Sequence, residues 1–166
     1  MLFASAIGFS LILAGCSEPT SSSAPATMNI YLLSDTTTTL TEAISRPIYS
    51  LDLAGAPVIS SGDLVFYKWA DHKFELTAEK RQETERFFAT HGNGNGHTPF
   101  VLSVGAERIY IGSFMSIYSS FLPDVPYVTS SLETFTINAG VGIAAADPRN
   151  DERIRKALQE AGILID

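Results

Sequence analysis

The chain has 166 residues, a formal net charge of −7 and one cysteine. An acidic surface repels nucleic acid and anionic lipid head groups, and no basic run of five or more occurs, so no nucleic-acid partner is expected. A lone cysteine excludes an internal disulfide framework.

The first segment is apolar and carries no charged side chain up to Leu13: Leu2, Phe3, Ile7, Phe9, Leu11, Ile12 and Leu13 dominate it. A helix that spans a bilayer needs about 20 apolar residues, and this run is too short. It has the size of a signal-peptide apolar region followed by small residues. Leu13-Ala14-Gly15-Cys16 resembles the lipobox of bacterial lipoproteins, although no Lys or Arg precedes the run as that pattern usually has. The resemblance implies a signal peptide over 1–15, cleavage before Cys16 and acylation of Cys16, with the lipid bilayer as partner. Lipidation also accounts for the single cysteine, and two or more acyl chains anchor a protein stably. Ser17 follows the cysteine where an aspartate is absent. In diderm lipoproteins that goes with outer-membrane sorting, facing the periplasm.

Ser17 to Thr27 is a Ser/Thr/Pro/Ala stretch without apolar periodicity and reads as a flexible linker. With Cys16 it forms the segment 16–27. Residues 28–166 have the length of one domain with a fair core.

Within that domain Asn29 to Ser34 reads as a buried strand, with Ile30 and Leu32 on one face and Tyr31 and Leu33 on the other. Leu64 to Trp69 and Lys73 to Thr77 form a hairpin about Ala70-Asp71-His72, which places His72 at a surface tip. A helix follows, with Thr77 as N-cap, Glu79 in its first turn and Gly92 as its stop. Gly92 to His97 is a loop by composition. Pro99 to Val104 and Arg108 to Gly112 are strands joined by a turn at Gly105-Ala106. Ser113 to Pro126 has no clear period. Val125 to Thr129 and Thr134 to Asn138 are further strands. The last helix starts at Asn150 or Asp151, sets Ile154, Ala157, Leu158 and Ala161 on one face, and ends at Gly162 with Ile163 closing it. Two main helices among five to seven strands argue a small α+β domain with a mixed or antiparallel sheet.

Chemistry is harder to place. His91 and His97 flank a glycine-rich loop, where a zinc pair at close spacing on an ordered element is not formed. No Gly-x-Ser-x-Gly occurs, and Ser119-Ser120 and Ser130-Ser131 are serine pairs without a local signature. Gly140-Val-Gly-Ile-Ala-Ala145 fits a dinucleotide pattern, but Pro148 interrupts the required helix, so these glycines are expected to shape a turn or bulge. No catalytic residue, metal set or cofactor is assigned. The one candidate binding surface is the aromatic stretch with Arg108, Tyr110, Phe114, Tyr118 and Phe121, rich in aromatics and poor in charge. The preferred alternative is that these aromatics fill the space between helix and sheet.

Pro99 to Phe114, then Ser119-Ser120 and Pro123 to Pro126, then Asp147 to Leu158, resemble a family of uncharacterised bacterial lipoproteins. Phe74-Glu-Leu-Thr77 with its helix, and the later strand pair ending in Gly112-Ser-Phe, are similar to the periplasmic head of the SecD translocase subunit. The first resemblance implies an envelope address and the second a domain that contacts extended polypeptides. Taken together these readings predict a membrane-tethered, non-catalytic binding or interaction module of the cell envelope with an envelope protein as partner. The alternatives are an envelope hydrolase with a dispersed site, in which His72, His91 or His97 would converge on a cleft, and the SecD-head-like domain.

Overall fold

The computed structural model describes residues 26–91, 97–115, 119–130, 133–142 and 146–166. Within them the fold is α+β: three α-helices and one mixed sheet of nine strands. The strands are β1 (Met28–Leu32), β2 (Ile59–Ser60), β3 (Leu64–Lys68), β4 (Lys73–Leu76), β5 (His97–Val104), β6 (Glu107–Met115), β7 (Tyr127–Ser130), β8 (Phe135–Asn138) and β9 (Leu164–Ile165). The helices are α1 (Leu40–Ile44), α2 (Ala78–His91) and α3 (Glu152–Glu160). The sheet order is β2-β1-β5-β6-β7-β8-β4-β3-β9, parallel at β6–β7 and β3–β9 and antiparallel elsewhere.

That order forces the sheet to curl. β2 and β3 lie seven places apart, which in a flat sheet is about 34 Å at roughly 4.8 Å per strand. Only Ser61–Asp63 joins them, as a single 3-10 turn, and the chain from Ser60 to Leu64 reaches at most about 14 Å. The two ends of the sheet must therefore approach each other. The face that closes on itself encloses the main core, where Tyr67, Phe74, Phe100, Leu102, Phe135 and Ile137 are buried. Helix α3 packs against β1, β5 and β9 and adds Ile154, Ala157 and Leu158 to it.

The opposite face of β5 and β6 is covered by the long connection from β1 to β2. Leu33, Ala43, Leu51 and Val101 form a second, smaller core there, with Ile48, Leu53 and Ile111 against it. Thus β5 is buried on both faces, and its run Pro99 to Val104 carries no polar alternation except Ser103.

The helix ends obey local chemistry. Asp151 caps α3 by accepting the Arg153 N–H. At the other end the Gly162 N–H donates to the Gln159 carbonyl and the Ile163 N–H to the Leu158 carbonyl, with Gly162 at φ 71°. Ile163 packs against the main core, as the expected closing contact. The expected elements are present close to their predicted bounds, while α1, β2 and β9 are additions. Elements of five, two and two residues are too short to show a period. The Val125 to Thr129 strand begins instead at Tyr127, since Pro126 has no N–H for the ladder.

His72 corrects the expectation of a surface hairpin tip: only 5% of it is exposed. The residue adopts φ 50°, its carbonyl accepts the Ile137 N–H, and its ring meets the edge of Trp69. The ring also meets Tyr67 and the segment 147–150, neighbours of which the latter lies more than seventy residues away in sequence.

Candidate functional site

The described part of the molecule holds a cavity of about 560 Å³ at the end of the sheet where β1 finishes and β5 begins. That volume lies within the range of about 300–1,000 Å³ usual for small-molecule sites. Leu32 enters it from β1, Leu33 from just beyond, Leu40 from α1, Phe87 from α2, Pro99 from β5, and Phe121 from the segment before β7. These side chains make an apolar floor.

The rim is polar, and the sequence Asp35-Thr-Thr-Thr-Thr39 builds it. Asp35 accepts hydrogen bonds from the Thr37 N–H at 2.9 Å and the Thr37 hydroxyl at 2.7 Å, which curls the loop into an Asx turn. Thr39 then caps α1: its hydroxyl accepts the Glu42 N–H, and Glu42 accepts the Thr39 N–H in return. The two bonded turns hold Thr36, Thr37 and Thr38 over the cavity. Hydrogen bonds from Thr37 hold the Asp35 carboxyl below the usual range, so it is charged at neutral pH. No Lys or Arg is among the described residues that line the cavity.

His97 stands at the boundary between the cavity and the sheet. Its Nε2 lies 3.1 Å from the Ser119 hydroxyl oxygen, and its Nδ1 lies 3.4 Å from that of Ser113. The ring also meets Phe121 edge to face at 5.6 Å. Burial pushes the imidazole below its ordinary value, and a hydrogen bond to the Phe121 backbone works in the other direction. The ring is therefore neutral at pH 7. Ser113 is fully buried on β6, whereas Ser119 is partly exposed.

Comparison with protein-family models, curated proteins and solved structures finds no match. The geometry alone carries the functional argument.

The residues grouped as one aromatic surface do not share a surface. Tyr110 and Phe114 are buried in the main core, where Phe114 packs against Phe100 and Phe87. Arg108 points to the opposite face, because the register slips between Leu102 and Ser103 and a bulge in β6 reverses the alternation. Its guanidinium donates to the Ile48 and Leu51 carbonyls at 2.6 and 2.7 Å and ties the β1–β2 connection down. Phe121 is exposed and lines the cavity. Tyr118 lies outside the described residues, as do the side chain of His91 and Cys16.

His72 and His97 do not converge. His72 Nδ1 and the Tyr67 hydroxyl share a hydrogen bond of 3.0 Å, and burial raises the Tyr67 phenol far above its ordinary value so that it stays protonated. Beside them Arg149 pairs with Asp147 and donates to the Ile137 carbonyl at 2.7 Å. This group is closed in on itself. Among the described residues no three His, Cys, Asp or Glu side chains assemble to hold a metal. The Gly140 to Gly142 stretch turns beside residues 123–125, with Gly142 at φ 83° and the Val141 N–H bonded to the Pro123 carbonyl.

Sequence reasoning missed the threonine rim and the two serines on His97. The rim had a signal, since Thr39-Leu-Thr-Glu42 is the capping-box spacing. The serines had none, because β5, β6 and the segment after it meet only in the folded chain.

Proposed function

We propose that this protein is a membrane-tethered module of the bacterial cell envelope that binds a small, uncharged and partly apolar ligand in the cavity between β1, α1 and β5. The cavity carries the reading: an apolar floor under a hydroxyl rim, with a charged carboxylate and no cation among the described lining residues, suits a neutral ligand and opposes an anionic one. The tether is the acylated Cys16, with residues 16–27 as linker, and the address is the outer membrane facing the periplasm in a diderm organism. An envelope protein is the partner expected to deliver or accept the ligand.

Strand addition by an extended polypeptide, the SecD-like alternative, draws less support. The edge strands β2 and β9 have two residues each and offer a short template.

The test is a titration of neutral fragments followed by amide shifts of the labelled protein. Shifts confined to Thr36 to Thr39, Phe87 and Phe121, and abolished by filling the mouth with Thr36→Trp, are the expected outcome. Shifts scattered over the surface, or unchanged in that variant, would sink the assignment.

A further inference from the structure

The neighbours of His97 extend this reading from binding to chemistry. Both serine hydroxyls lie within reach of His97 and of a backbone carbonyl, and Ser119 Oγ also accepts the Phe121 N–H at 3.3 Å. Ser113 Oγ donates to the Phe114 carbonyl at 3.2 Å and lies 3.4 Å from His97 Nδ1, where it can accept from a ring N–H. Ser119 Oγ lies 3.1 Å from His97 Nε2 and 3.3 Å from the Phe121 carbonyl, close enough to pass its proton to the ring. The chemistry requires the tautomer with hydrogen on Nδ1 and the lone pair free on Nε2, against the Phe121 backbone, whose hydrogen bond draws on a ring N–H. A nucleophile within hydrogen-bond reach of a base, and that base oriented by a third group, is the arrangement of covalent acyl transfer.

We infer that Ser119, His97 and Ser113 form an acyl-transfer site that hydrolyses neutral esters of short acyl chains held in the adjoining cavity. The inference rests on the cavity being a ligand site. Ser119 Oγ forms a bond to the acyl carbon while its proton passes to His97 Nε2. The tetrahedral adduct collapses, the bond to the alcohol oxygen breaks, and the alcohol leaves with the proton from His97. Water then attacks the acyl-serine, gives one proton to Nε2, and the carboxylic acid departs as that proton returns to Ser119 Oγ. Ser113 is a positioning residue: buried, it holds Nδ1–H and keeps Nε2 free as base. Leu32, Leu33, Leu40 and Pro99 suit an apolar acyl chain, and the charged Asp35 disfavours acids and phosphates.

The test uses the full chain in detergent with a fluorophosphonate probe, p-nitrophenyl butyrate as substrate, and N-butylbutanamide as a non-reacting ligand. A single phosphonyl adduct at Ser119 by peptide mass spectrometry is expected, together with butyrate release. Both should vanish in Ser119→Ala, fall by about 100-fold or more in His97→Gln, and persist in the neighbouring Ser120→Ala. Ser113→Ala should lower kcat at unchanged KM and move the acid limb of the kcat–pH profile, which a packing role alone would not do. Labelling spread over several serines, or unchanged in His97→Gln, would overturn the site. Amide binding in the cavity without an adduct removes the chemistry and leaves the binding reading standing. Neither binding nor adduct removes both.

Discussion

Arg108 illustrates how one side chain can look like a contact residue and act as a fastener. Its two bonds end on the carbonyls of Ile48 and Leu51, and its guanidinium lies over the Tyr49 ring at 5.8 Å. Hydrogen bonds from a charged donor contribute about 1.5–3 kcal/mol, and partly buried carbonyls left bare lose more than their share. Arg108→Met is therefore expected to lower unfolding stability in urea by about 2 kcal/mol, with ligand shifts at the rim preserved. A stability unchanged in Arg108→Met would return Arg108 to the list of recognition residues. Gly112 is a second such position: an added Cβ would run into the Phe100 ring and come within 2.8 Å of the Pro126 carbonyl, so β6 can pass there only as glycine.

At the level of elements, α3 combines a strong local signal with a long-range task. Asp151 caps it, and hydrogen bonds from Arg153 hold the Asp151 carboxyl below its usual range. Replacing a capping aspartate with alanine costs about 0.5–2 kcal/mol. Asp151→Ala should lower the urea midpoint by a corresponding amount and speed amide exchange in the first turn of α3. Equal exchange in both proteins would mean that packing alone, through Ile154, Ala157 and Leu158, defines the start of the helix. Helix α2 and the hairpin β5–β6 were equally legible, since Thr77 precedes the one and the Gly105 turn joins the strands of the other, while the expected stop at Gly92 lies outside the described residues. Helix α1 was not, because its five residues gain their order from Leu40 and Ala43 packing on β5.

For the whole molecule two expectations follow. Burial lowers both His72 and His97 relative to their unfolded values near 6.5. The unfolded chain then binds more protons than the folded one as pH falls, so this stability is present above about pH 6.5 and is lost progressively below it. The urea midpoint should therefore drop between pH 7.5 and pH 5. His72→Asn, which tolerates a positive φ, should flatten that slope, whereas an identical slope would assign it to His97 or elsewhere. A further loss is expected below about pH 4, where Asp147 and Asp151, both lowered chiefly by hydrogen bonds from arginine, take up protons. The second expectation concerns the tether: Cys16→Ser should move the protein from the membrane fraction to the soluble one. Retention in the membrane would end the lipoprotein reading. Met28 pairs with Val104 while Leu32 pairs with Phe100, so the chain preceding β1 enters the sheet at the end opposite the cavity. The two ends of β1 are about 14 Å apart at roughly 3.4 Å per residue.

What the sequence determined by itself was local. Periodicity, caps and turn residues set the class of the fold, most of its strands and both longer helices, since each depends on neighbours within a few positions. The proposed lipobox rests on an equally local signal, a resemblance over four consecutive residues. Only the tertiary structure decided that His72 is enclosed, that a bulge turns Arg108 away from Tyr110, and that Ser113 and Ser119 meet His97. Those facts depend on strand order and register, and a slip of one residue exchanges the faces of a strand. The candidate site belongs to that second kind: its parts come from β1, α1, α2, β5, β6 and the segment before β7, and strand pairing and packing across the sheet bring them together.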